Sequence, residues 1–179
     1  MYIYIDNVSR ILAKYEFQSL LHFYCTNERM TSMPKKQKQK QISLSLLNEL
    51  HTAGAGYDVL RYISLPDLFG TEANTILYFM GKDLARSLDI KSLEDLYYAA
   101  DKLGWGRLEL VKEKKKSLTF HLMADAVFHR LQATIEIDFR LEAGFISEAI
   151  QMINGIDCEC GEKINSKIHQ VEFNVVYTE

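Results

Sequence analysis

Leu141-Glu-Ala-Gly-Phe-Ile-Ser-Glu-Ala-Ile-Gln-Met-Ile-Asn-Gly155 is the stretch that decides the fold. Leu141, Phe145, Ile146, Ala149, Ile150, Met152 and Ile153 recur at helical spacing, while Glu142, Ser147, Glu148 and Gln151 fall on the other side. The spacing predicts an amphipathic helix with its polar side in water. Asn154-Gly155 supplies a left-handed stop just past the last apolar residue. Gly144 inside the helix costs about 1 kcal/mol of propensity unless another backbone must come close there. The expectation is a tight contact of this helix on a sheet.

Strand patterns flank the helix on both sides. After it, Ile156 to Glu162 reads as a strand, and Val171, Phe173, Val175 and Tyr177 alternate with Gln170, Glu172 and Asn174. Before it, Leu108 and Leu110 alternate with Arg107 and Glu109. Beyond a charged turn at Lys112 to Lys116, Leu118, Phe120 and Leu122 alternate with Ser117, Thr119 and His121, which makes a β-hairpin. Residues 124–131 read as a helical turn, and Gln132 to Asp138 as a brief strand or as the approach to the helix.

Helices lead the chain. Ser92 and Asp95 form a variant of the capping box, Leu93, Leu96, Tyr97, Ala100 and Leu103 make the stripe, and Gly104 ends that helix. Residues 72–87 form another, with Ile76, Leu77, Met80, Leu84 and Ala85 buried and Lys82, Asp83 and Arg86 in water. Tyr57 to Ile63 is a shorter piece ending near Ser64, because Pro66 disfavours helical geometry at Leu65, and Leu68-Phe69-Gly70 is a turn. Ile42 to Leu50 is a first helix. Helices first, then a hairpin, a helix and returning strands make an α+β domain: an antiparallel sheet with helices packed mainly on one face.

A chain of 179 residues holds one well-buried core and an appendage. The domain is placed at residues 42–179 and the extension at 1–41. Met33 to Gln41, MPKKQKQKQ, reads as a disordered basic arm. Residues 1–32 fit a short strand and a helix, but codons for Asn27-Glu28-Arg29 can be purine-rich in the manner of a ribosome-binding site. Translation is therefore expected to start at Met33, with residues 1–32 a misassigned gene start. No apolar run approaches the roughly 18 residues of a membrane span. Cys25, Cys158 and Cys160 form no even framework, which points to a reducing cytoplasm. Residues 117–179 carry ten acidic groups against four basic ones, so the body lacks the basic face that nucleic acid requires.

Two stretches resemble the YslB family of uncharacterised cytoplasmic proteins of low-GC Gram-positive bacteria. One is Leu65-Pro-Asp-Leu-Phe-Gly70 with Tyr78-Phe-Met-Gly-Lys-Asp-Leu-Ala-Arg86; the other is Gly104-Trp-Gly106 with Phe139-Arg-Leu-Glu-Ala-Gly-Phe-Ile-Ser-Glu148. The resemblance spans roughly residues 44–177. That family is similar, more remotely, to the ligand-binding domain shared by nitric-oxide sensors, vinyl-reductase-type proteins and TRAPP vesicle-tethering subunits. This implies an antiparallel sheet flanked by helices, often dimeric, with a hydrophobic cavity between helix and sheet in some members. The Tyr-x-Ser-x-Arg signature of the haem members is absent, and no cysteine aligns with the lipid-modified one of the tethering subunits. No cofactor is therefore expected.

Trp105, Phe120, Phe128, Phe139 and Phe145 line the apolar pocket that the resemblance implies, with Gly144 and Met152 shaping its floor; the alternative is an ordinary aromatic core. Cys158 and Cys160, two apart on a strand, face the same way, but zinc needs two further ligands, from His169 or a second protomer. His121, His129 and Asp125 are the candidates for acid–base chemistry, without a specifying spacing. No nucleophile elbow, phosphate loop or zinc helix is present. The expectation is a non-enzymatic homodimer that binds an apolar small molecule or serves as an interaction scaffold. An enzyme of unnamed reaction is the alternative, as is a nucleic-acid or ribosome-associated factor working through the lysine arm. Dimerisation is expected because Tyr78 and Phe79 lie beside the buried stripe of their helix.

Overall fold

The computed structural model describes residues 43–48, 55–123, 127, 131, 135–165 and 167–178. All of them belong to one compact unit, Gln39–Glu179. The expectations for residues 1–41, and for Cys25, Asp125, Phe128 and His129, fall outside the described residues.

A four-stranded antiparallel sheet forms the base: β1 (Arg107–Lys114), β2 (Ser117–Met123), β3 (Cys158–Asn165) and β4 (Gln170–Tyr177), in the order β1-β2-β4-β3. Period-two alternation builds one buried face. Leu108 stands opposite Leu122, Leu122 opposite Val171, Phe120 opposite Phe173 and Cys160 opposite Val175. All of these side chains are buried, whereas Glu159, Lys163, Asn174 and Val176 on the other face are exposed. The charged turn is shorter than expected. Both strands run on to Lys114 and Ser117, and the register slips at Val111, a bulge that twists an edge strand away from further pairing.

Helices cover the buried face. Among the described residues they include a 3₁₀ turn at Leu44–Asn48, α1 (Gly56–Val59), α2 (Leu65–Phe69), a second 3₁₀ turn at Gly70–Glu72, α3 (Ala73–Leu88), α4 (Leu93–Lys102) and α5 (Arg140–Asn154). Ser92 caps α4 in the expected box, its Oγ accepting from the Asp95 N–H while the Asp95 carboxylate accepts from the Ser92 N–H. Gly155 closes α5 at φ +68°. Residues 135–138 are irregular and lead into α5.

Four sequence expectations are corrected. The helix at Tyr57 does not end at Ser64: a π-helical turn, Leu60–Ser64, carries the chain through Pro66 into α2, and Leu65 keeps helical angles with its N–H on the Leu60 carbonyl. Shifting the ladder to i→i−5 lets the run continue where proline has no N–H to give. In α3, Lys82 is 7% exposed, while Met80, expected inside, is half open. In α5 there is no watery side, for Leu141 to Ile150 are all buried, Glu142, Ser147 and Glu148 included.

The fourth correction concerns Gly144. A backbone does come close there, but it belongs to a helix: a Cβ on Gly144 would overlap the carbonyl of Tyr78 in α3. The contact is reciprocal, since a Cβ on Gly81 would overlap the carbonyl of Leu141 and lie 2.8 Å from the Phe145 nitrogen. Two glycines on facing helices thus allow α3 and α5 to touch backbone to backbone. With α5 packed against α3 and β3, little of its surface remains for water.

Candidate functional site

The close crossing of α3 and α5 sets polar side chains against the edge of β3. Tyr78, Lys82 and Arg86 stand four residues apart and so share one face of α3. The Tyr78 hydroxyl donates to the Glu159 carboxylate and accepts the Cys160 N–H at 3.1 Å. Lys82 Nζ reaches the other Glu159 oxygen at 3.2 Å. Arg86 grips Glu148 of α5 with two hydrogen bonds, 2.7 and 2.9 Å long, and also bonds Asp83. From α5, Ser147 Oγ donates to the Cys158 carbonyl at 2.8 Å, and Cys158 Sγ donates back to the Ser147 carbonyl at 3.1 Å. An edge strand normally presents unpaired N–H and C=O groups, and here helix side chains take them up.

Beside this seam opens a cleft of about 620 Å³, lined by Tyr78, Arg140, Glu159, Glu162, Lys163 and Glu172 around Gly161. Arg140 lies over the Tyr78 ring, 4.7 Å from its centre, and bonds Glu162 at 2.8 Å. Within the lining, Arg140 and Glu162 form an ion pair. Burial and the Glu159 carboxylate push the Tyr78 hydroxyl well above its ordinary value, so it serves as a donor and not as a base. Burial alone would raise Glu159, but the bonds from Tyr78 and Lys82 outweigh it and hold the carboxyl below its usual range. The cleft offers fixed hydrogen bonds and an ion pair.

Cys158 and Cys160 do share the buried face, and burial raises both thiols, Cys160 well above its ordinary value. No group of three metal-binding side chains occurs among the described residues. His121 lies on the open sheet face, Nδ1 2.9 Å from the Gln170 amide nitrogen and Nε2 3.6 Å from Glu172.

The expected pocket residues are partly gathered. Trp105, Phe120, Phe139 and Phe145 join one core; Trp105 meets Phe145 edge to face at 5.0 Å, and Phe139 meets Phe173 at 6.5 Å. Gly144 is not in their floor, because it faces α3, and Met152 is only half-buried.

A second polar cluster escaped sequence reasoning. Arg61, 2% exposed, forms a bidentate pair with Asp138 at 2.6 and 2.9 Å and stands 3.6 Å from Glu142, itself 1% exposed. Burial alone would lower the guanidinium, yet the Asp138 bond and the two carboxylates hold it above its ordinary value. Nothing in the spacing of Arg61 pairs it with residues so far along the chain.

Comparison with known proteins places this architecture. A vinyl-4-reductase family protein of Methanocaldococcus jannaschii superposes with a TM-score of 0.57 at 18% identity, over 76% of this chain and 88% of its own. That likeness establishes a shared fold. Uncharacterized protein YslB of Bacillus subtilis (strain 168) is 34% identical over 135 residues, 75% of this chain and 91% of the relative. Residues 54–176 match the family described as Protein of unknown function (DUF2507), and with a third of its positions shared with YslB across nearly the whole of that relative, the chain belongs to this family.

Proposed function

We propose that the domain works by binding, as a homodimeric interaction module, and not by catalysis. The observation that carries this reading is the pair of large apolar side chains that α3 leaves open beside its buried stripe: Phe79 is 58% exposed and its neighbour Met80 37%. Single exposed apolar side chains are ordinary, but two adjacent ones on one helix, a phenylalanine among them, favour an interface. A two-fold pairing asks only that the patch complement itself, which an apolar surface does. Against catalysis, the seam's tyrosine is held protonated and its charges are paired. Two free, buried thiols suit the reducing cytoplasm.

Light scattering of the purified chain tests this. The expected mass is twice that of one chain, falling to one in Phe79→Glu while folding stability stays within about 0.5 kcal/mol. A wild-type monomer at high protein concentration overturns it.

Binding of an apolar small molecule beside Trp105, Phe139 and Phe145 is a second reading. Native mass spectrometry of freshly purified protein, looking for a co-purified hydrophobic compound, tests it.

A further inference from the structure

Residues 56–69 lie across the molecule from Trp105 to the start of α5, and their attachment differs from that of α3, α4 and α5. In α1, the π-turn and α2 together, the only buried residues are Arg61 and Tyr62. Val59, Leu60, Ile63 and Leu68, which would anchor the run if they faced inward, are open to solvent. Tyr57, Leu65 and Phe69 pack partly on the core. Two of the run's holds are polar. The Trp105 indole N–H donates to the Tyr57 hydroxyl at 3.1 Å, and Arg61 plugs between Asp138 and Glu142 at the first turn of α5.

A few buried apolar groups and a desolvated ion cluster form a weak attachment. Little hydrophobic area is lost when such a segment lifts, and the charges regain water. Arg61 Nε is buried without a hydrogen bond, so the closed position leaves part of that cation unsatisfied. The run ends at Gly70, whose angles, φ +56° and ψ −133°, are open only to glycine and mark a joint between α2 and α3. Beneath the two polar holds lie Trp105, its partner Phe145, and Phe139, which sits between Asp138 and Arg140 at the head of α5.

We propose that residues 56–69 are a latched strap that swings about Gly70 off the Trp105–Phe145 end of the core, opening an entrance through which an apolar small molecule reaches the aromatic cluster. The swing stands by itself; its use as an entrance rests on the apolar-ligand reading. The two parts are measured separately.

Trp105 is the single tryptophan of the chain and reports the swing directly. Arg61→Gln removes the cation that stands between Asp138 and Glu142. The expected result is a rise of about threefold or more in acrylamide quenching of Trp105 and a red shift of its emission, with far-UV circular dichroism nearly unchanged, as local opening requires. Tyr57→Phe, which removes the hydroxyl that the indole donates to, shifts quenching the same way by a smaller factor. 1-Anilinonaphthalene-8-sulfonate is the apolar probe: brighter emission in Arg61→Gln than in wild type supports the entrance. Unchanged quenching in both folded variants overturns the strap. If Arg61→Gln loses its fold altogether, Tyr57→Phe decides, and wild-type quenching in that variant overturns the strap as well. Raised quenching without a gain in dye emission keeps the strap and overturns the entrance.

Discussion

The α3–α5 crossing and the strap at 56–69 are both made of helix, yet they are fixed in opposite ways. At the crossing, Gly81 and Gly144 remove every side-chain atom between two backbones, and apolar contacts surround the point of closest approach. In the strap the apolar residues face outward, and an arginine between two carboxylates supplies the hold. Close packing is intolerant of added volume, because each neighbour is backbone and cannot turn aside. An ion latch is intolerant of lost charge, but its failure releases one segment and leaves the rest standing. Helix content therefore says little about what a helix can do; what lies under it decides.

The sharpest way to break the comparison is to add volume at the crossing. Gly144→Ala sets a methyl on the Tyr78 carbonyl and is expected to cost at least the about 1–3 kcal/mol typical of overpacking, and Gly144→Val to prevent folding. A urea titration measures it; a loss in Gly144→Ala below about 0.5 kcal/mol would mean that α3 and α5 part easily. Next comes Arg61→Gln. Breaking a buried pair costs about 3–5 kcal/mol when the surroundings stay closed, but a strap that lifts limits the global loss to less than that. Smaller again is Ser147→Ala, which frees the Cys158 carbonyl at the edge of β3 and is expected to cost about 1–2 kcal/mol by thermal melting.

The smallest effect concerns pH. Glu159 is held below its ordinary range in the folded chain, so its contribution is present above the unfolded value near 4.3 and fades as the pH falls through the folded one. Its carboxylate is largely open to water, which limits the size of the effect. Glu159→Gln is expected to flatten the acid limb of stability below about pH 4.3 and change little at neutrality. An unchanged acid limb would mean that the Tyr78 and Lys82 bonds hold Glu159 no better than water does.

Much of the fold was legible because local chemistry determined it. Ser92 and Asp95 marked the start of α4, Gly155 the end of α5, and the alternation at Leu118–Leu122 and Val171–Val175 the buried sheet face. Gly144 correctly signalled a close backbone, but one glycine does not say whose backbone; its partner Gly81 lies far off in sequence. The polar site was misread for the same reason. Lys82, Glu142 and Glu148 sit where an amphipathic pattern puts solvent, and their partners, Glu159, Arg61 and Arg86, lie far off in sequence. Tyr78, Lys82 and Arg86 at intervals of four gave a usable signal, one helix face bearing three polar groups. Pro66 misled because a π-turn supplies what the proline lacks, and no residue type announces such a turn.

Hydrogen exchange of the wild-type chain, followed amide by amide through low concentrations of urea, tests most directly the claim that one helical region is welded and the other latched. The account predicts that amides from Tyr57 to Phe69 exchange through a local opening that urea barely affects, while those of α3 and α5 around Gly81 and Gly144 exchange only with global unfolding. Equal protection and equal urea dependence in the two regions would contradict it.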